Sequence, residues 1–349
     1  MAPFVFIYIL LFILFILSKP RYNNLSIIFL MTMIMVLFCG LREPSLYPDM
    51  GGYQYFFKNG VYPEYISELK GDDIGYAFLN KIIRGLSGSF QFFCFIVSGL
   101  MVSLYSWFSR KYSPYPTYSL LLFAIIAYLF QFFIIRQCLA AAIGMLAFHF
   151  TLRKKPILFV ASVLLATSIH TTGILLAPIY PIFYFFKEEN KWIWFLYIAT
   201  GVFILAFNFI ANWLFSSYEY YAHYLESDSE FSFARTAMKV YILLLYLCVL
   251  KKDAYKKDIR FLVLLCLLFN VIIYAGCGGI YGAYRMRFFF EISEIIGIPL
   301  IVKYSKQPGI KNRQVIGILT YIYVFALCWS AYSFLTSEHM SGGYHLFHF

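Results

Sequence analysis

Long apolar stretches, separated by short clusters of charge, proline and glycine, follow one another along nearly the whole chain. Runs of this length predict membrane-spanning helices at 3–18, 25–41, 88–108, 117–135, 138–152, 157–170, 173–186, 192–214, 236–250, 261–277, 288–303 and 314–335. The two short runs, 157–170 and 173–186, meet at His170-Thr-Thr-Gly173 and count as one bent helix or two, so eleven or twelve spans are expected. Two polar interruptions are long, 42–87 and 215–235. Inside the first, FLNKIIRGL at 78–86 has the apolar spacing of a helix lying in the membrane interface. The expected fold class is all-α and polytopic, with residues 1–349 forming one membrane domain.

Composition narrows the class further. Hydrophobic residues make up 62% of the 349 and charged residues only 13%, where a soluble domain carries about 25%. The net charge of +11 would suit nucleic acid if it were clustered, but it sorts by topology. With alternate connections on opposite sides, about two thirds of the lysines and arginines fall on one side. The positive-inside rule makes that side cytoplasmic, which places both termini and both long loops outside. Seven cysteines lie singly in or beside apolar segments without Cys-x-x-Cys spacing, as small apolar residues do. The first 18 residues lack a basic start and a small-residue cleavage site, so they are expected to remain as a span.

The candidate chemistry lies at the helix borders. Arg42 and Asp49 stand in LREPSLYPDMGGYQYFF, residues 41–57. A guanidinium at the bilayer centre would cost roughly 2.5–3.5 kcal/mol, so Arg42 is expected at or near the membrane surface. Arg136, in FFIIRQCLAAAIGML, sits where one helix ends and the next begins with small residues, and a helix N-terminus favours anions. Arg285 and Arg287 occupy another outer border, with Glu291 four residues beyond Arg287 at ion-pair spacing. Several outward arginines on a membrane scaffold imply an anionic ligand carried on a lipid, because the guanidinium fork matches phosphate oxygens. A polyprenyl diphosphate bearing a polar cargo meets these demands.

Two further stretches fit such a cargo. His170, beside hydroxyls in ATSIHTTG, is placed to handle a proton. The second long loop mixes Tyr218, Tyr220, Tyr221 and Tyr224 with Glu219, Glu226, Asp228 and Glu230. Rings of this kind cover the C–H faces of a sugar while carboxylates accept its hydroxyls. Glu226-x-Asp228-x-Glu230 could hold a divalent ion through oxygen ligands. Arginines neutralise a diphosphate without one, and no metal or other cofactor is expected.

Four stretches, taken in order, resemble the EpsG family of exopolysaccharide proteins, which is related in kind to the Wzy O-antigen polymerases. They are Arg42, Asp49 and Tyr53 at their spacing, then Asp73-Ile-Gly75-Tyr76, Ile135-Arg136-Gln137, and Ile169-His170-Thr171-Thr172. Tyr284-Arg285 is a looser match, and Tyr47-Pro48 stands where the family has Gly-Thr before the acid. The resemblance covers about 40–180 by motif and the rest by topology. It implies a fold of the membrane glycosyltransferase, GT-C-like, type on the outer face of a bacterial inner membrane. The implied reaction moves a growing glycan from undecaprenyl diphosphate to a sugar hydroxyl of another lipid-linked repeat unit.

On that reading Arg42, Arg136 and Arg285 hold the diphosphate, His170 or Asp49 is the base, and Tyr53, Gln137 and Tyr221 meet the glycan. The expected partners are the lipid-linked substrates, membrane lipid and a chain-length regulator, not nucleic acid. A flippase would instead string its charges along a central path through paired halves, whereas these cations gather at one rim. A membrane sugar O-acyltransferase would use His170 without needing several arginines.

Overall fold

The computed structural model describes residues 2–18, 24–61, 73–187, 195–202, 206, 233–249, 258–276, 283–307, 310, 312–337, 340 and 344–345. Among these residues helix is the only regular secondary structure. Four helices are long and apolar enough to cross a membrane: Phe90–Tyr112, Ile135–Leu152, Ile259–Gly276 and Arg313–Leu335. Large apolar side chains that would be costly in water, among them Phe6, Phe29, Phe325 and Trp329, stand exposed on helix surfaces. A multispanning membrane protein accounts for both features.

Several expected spans are shorter or broken. Helices α1 (Ala2–Leu17) and α2 (Leu25–Gly40) have 16 residues each and rise about 24 Å, below the roughly 30 Å of a bilayer core. The run expected to be one helix over 117–135 is helix only at Pro116–Ile126, followed by a 3₁₀ turn at Tyr128–Phe132. The 157–170 helix ends at Ile169, and a 3₁₀ segment, Thr171–Leu176, follows, so the chain does break at the predicted hinge. The run over 288–303 is likewise split into a 3₁₀ segment, Ala283–Phe289, and a helix, Ile292–Tyr304, that contains Pro299.

The chain packs as two compact units. The first comprises Met1–Phe150, Ile157–Ile174 and Val324–Phe349, and the second Thr151–Pro156 and Leu175–Tyr323. In the first unit α2 crosses the helix α5 (Phe90–Tyr112) closely. Gly40 makes that approach possible, because a Cβ there would lie 2.7 Å from the Phe95 ring. Gln91 Nε2 donates to the Gly40 carbonyl at 2.5 Å, and the Thr32 and Ser106 hydroxyls pair at 2.7 Å lower down.

The first long loop is structured at both ends. It holds α3 (Met50–Asn59) and α4 (Ile74–Leu86). Helix α4 buries Tyr76, Asn80 and Ile83 and exposes Ile74, Phe78, Ile82 and Leu86 one turn apart, the two-faced pattern expected of 78–86. The C-terminal segment returns to the same region. Tyr344 stacks on Phe38 at 4.0 Å, and the Glu43 N–H donates to the His345 carbonyl at 2.8 Å.

In the second unit α10 (Phe233–Val249), α11 (Asp258–Gly276) and α12 (Ile292–Tyr304) pack on one another. Asn270 Nδ2 ties α11 to the start of α12 through the Phe290 carbonyl and the Ser293 hydroxyl, each at 3.1 Å. Most of the second long loop, 215–235, lies outside the described residues.

Candidate functional site

Arg42 follows directly on α2 and is 0% exposed. Its Nε donates to the Phe132 carbonyl and its Nη2 to the Gln131 carbonyl, each at 3.2 Å. Nη1 donates to the Cys39 carbonyl, with Cys39 Sγ at 3.3 Å and Ser98 Oγ at 3.5 Å, while Met50 Sδ lies 4.0 Å from Nη2. The Phe132 ring covers one face of the guanidinium at 5.1 Å. All three nitrogens are thus turned on protein atoms. Arg42 lies just past the end of α2 and is enclosed by protein, where carbonyl dipoles stand in for water.

Those carbonyls explain the broken span. A helix carried on through 128–135 would use them internally; the 3₁₀ turn leaves them for Arg42. Tyr47, also against Arg42, is buried, and this raises its phenol above the ordinary value even though the arginine pulls the other way. Arg42 therefore joins the end of α2, α3, α5 and the turn from which Arg136 emerges.

Arg136 begins α7 (Ile135–Leu152). Its Nη1 meets Asp73 Oδ2 at 2.5 Å, an ion pair buried on both sides. Asp73 occupies the cap of α4, and the next residues explain how it arrives there. A Cβ on Gly75 would run into Ser168, so the glycine lets α4 lie against the end of α8 (Pro156–Ile169). Two tyrosine rings flank the guanidinium, Tyr53 at 6.0 Å and Tyr76 at 5.8 Å, and they stand 6.1 Å from each other. Asp49, one turn before Tyr53, caps α3 in the left-handed region at φ 63° with its side chain exposed.

The neighbouring residue leads to His170. Gln137 Nε2 lies 3.3 Å from Thr172 Oγ1, and that hydroxyl lies 2.7 Å from His170 Nδ1. The Thr172 backbone N–H also points at Nδ1, at 3.3 Å. The chain turns back tightly here, and Gly173 is needed because a Cβ would come within 2.6 Å of the Ala166 carbonyl carbon. Asp73, Arg136, Gln137, His170 and Thr172, drawn from three stretches of sequence, thus form one connected cluster with Tyr53 and Tyr76 against it.

Sequence reasoning named Arg136, Gln137, His170 and Tyr53, and expected the hydroxyls beside His170 to act with its ring, but gave no role to Asp73 or Tyr76. Asp73 was legible as an acid at the head of an amphipathic helix; its partner was not. Tyr221 and the acids Glu226, Asp228 and Glu230 lie outside the described residues.

Arg285 belongs to the second unit, half-buried in the 3₁₀ segment Ala283–Phe289. Beside it Arg287 Nε lies 3.2 Å from Glu291 Oε1, the ion pair expected from spacing, and Arg287 also donates to the Tyr274 hydroxyl. Lys239 pairs with Glu294, whose other oxygen accepts from the Tyr323 hydroxyl at 2.9 Å. Glu294 is 0% exposed; sequence reasoning placed it on a helix running into the membrane but gave it no partner, and it did not name Lys239.

A family model described as the EpsG family matches residues 25–345. No curated protein and no solved structure matches the chain.

Proposed function

The chain belongs to the EpsG family, which is Wzy-like and polymerising in character, and from that premise we propose that it is a polymerase of lipid-linked glycan repeat units. It works at the outer face of a bacterial cytoplasmic membrane, on a fold of the GT-C-like membrane type. The acceptor sugar hydroxyl attacks the anomeric carbon of the growing chain. The bond from that carbon to the undecaprenyl diphosphate breaks, its electron pair stays on the diphosphate oxygen, and the hydroxyl proton passes to a base.

The departing charge is what the site must stabilise, because the donor already carries a good leaving group. Arg136 is assigned to the diphosphate, aimed by Asp73 and backed by the Tyr53 and Tyr76 rings. Arg42 has a different job in this reading. Enclosed by carbonyls, it braces the turn that delivers Arg136 instead of touching substrate. His170 and Asp49 are the two candidates for handling the hydroxyl proton.

The observation that carries the reading is the convergence of three family stretches: 73–76 meets 135–137 through the Asp73–Arg136 pair, and 169–172 meets it through Gln137 and Thr172. Purified protein in detergent, given lipid-linked repeat units and no nucleotide sugar, should lengthen them, and Arg136→Ala should abolish the ladder. Unchanged substrate with the folded wild type, or full-length polymer from the alanine variant, would remove the proposal.

A further inference from the structure

We propose that Thr172 is a positioning residue that holds His170 as the tautomer protonated on Nε2, so that His170 serves the reaction as a hydrogen-bond donor and not as its base. The inference rests on the polymerase reading for what the ring does, and on local geometry alone for which nitrogen carries the proton.

A backbone N–H has only a proton to offer. The Thr172 amide directed at Nδ1 at 3.3 Å therefore faces a lone pair. The Thr172 hydroxyl, 2.7 Å from the same nitrogen, is itself approached by Gln137 Nε2, an amide nitrogen that can only donate. With Gln137 donating into the oxygen and the Thr172 N–H already requiring a lone pair on Nδ1, the hydroxyl proton points at Nδ1. Two donors thus converge on one ring nitrogen, and the single proton of a neutral imidazole belongs on the other, Nε2. A second proton placed on Nδ1 would be pushed against the Thr172 N–H.

The arrangement is held by the backbone. The His170 N–H donates to the Ala166 carbonyl at 3.0 Å and the Gly173 N–H to the His170 carbonyl at 2.8 Å, closing the turn that lays residue 172 over the ring. Gly173 passes so near Ala166 and Thr167 that no side chain fits. Thr172 is thereby fixed in place, and its hydroxyl completes what the amide begins.

A base at Nε2 needs a lone pair there, and this tautomer has none. Nε2–H instead offers a hydrogen bond to the diphosphate oxygen as the bond to the anomeric carbon breaks, adding to Arg136. No proton leaves the ring in this step. The acceptor's hydroxyl proton then goes to a carboxylate, and of the two candidates Asp49 remains.

The test uses the full-length protein in detergent, labelled with ¹⁵N-histidine, with the His170 signals assigned by their loss in His170→Gln. The expected result is an unprotonated Nδ1 and a protonated Nε2 in the wild type at neutral pH. A proton on Nδ1 overturns the inference whether or not the protein makes polymer. In the extension assay Thr172→Val should lower kcat about tenfold, the worth of one hydrogen bond, with little change in KM, and Thr172→Ser should restore it. A valine variant as fast as the serine variant would overturn the positioning role. A wild type with the expected tautomer but no chain extension would count against the polymerase reading alone.

Discussion

Arg42 and Arg136 each follow an apolar run and each ends up buried in the same unit, yet the protein surrounds their guanidinium groups in opposite ways. Arg42 is met by fixed dipoles, the carbonyls of Cys39, Gln131 and Phe132, and by sulfur and a ring. Arg136 is met by a full opposite charge, Asp73, and by two tyrosine faces, with Gln137 and its link to His170 alongside. Carbonyls contributed by separate elements turn a cation into a joint, because moving any of them leaves a buried donor unsatisfied. A carboxylate orients a cation while remaining a group that another anion can compete with. Burial alone therefore does not say what an arginine is for; the kind of partner sets the expectation.

The largest effect should come from removing the joint. Arg42→Ala strips the donors from three enclosed carbonyls, and a buried polar group left unsatisfied costs about 1–3 kcal/mol. The variant should fail to survive mild heating in detergent, read as loss of the monodisperse peak in size-exclusion chromatography. Arg42→Lys should recover little, since one ammonium cannot reach acceptors spread over the fork of a guanidinium. If Arg42→Ala were as heat-stable as the wild type and lacked only polymer, Arg42 would belong with the substrate after all.

Arg136 should respond in the other sense. Arg136→Lys keeps a cation for Asp73 and should leave the melting behaviour near that of the wild type. Chain extension should fall by about a hundredfold, as when a preorganised donor is lost from a transition state. Equal losses of stability in the lysine variants at 42 and 136 would erase the distinction between the two sites.

The contrast marks how far the sequence could be read. Apolar runs gave the helical class and most helix positions, because continuous hydrophobicity is a local property. The hinge at His170 to Gly173 was visible for the same reason, as was the interfacial spacing at 78–86, which the structure extends back to Ile74 in α4. What local patterning missed is long-range. The run over 117–135 reads as one helix until Arg42, some ninety residues away in sequence, takes the carbonyls at its end. The pairing of Lys239 with Glu294 was likewise hidden, the two charges lying in separate apolar runs until α10 and α12 bring them together. In the candidate site the residue types were legible, but the pairing of Asp73 with Arg136 and of Thr172 with His170 depends on glycines 75 and 173 permitting close approach.

The smallest effect tests what the tyrosines contribute. From sequence Tyr53 was assigned to the glycan; in the structure its ring lies 6.0 Å from the Arg136 guanidinium carbon, a role that needs only the π face. Such a contact is worth about 0.5–2 kcal/mol depending on desolvation. Tyr53→Phe keeps the face, and Tyr53→Leu removes it while retaining bulk. If the ring steadies Arg136, the phenylalanine variant should extend chains at nearly the wild-type rate. The leucine variant should then lose a few-fold to about thirtyfold, the range into which one or two kcal/mol translates, with Tyr76 still covering the arginine from 5.8 Å. If the two variants lose equally, the hydroxyl is the working part and the ring face is not what steadies Arg136. In that case Arg136 would depend on Asp73 more than on its aromatic flank, and Asp73→Asn should slow extension more than Tyr53→Leu does.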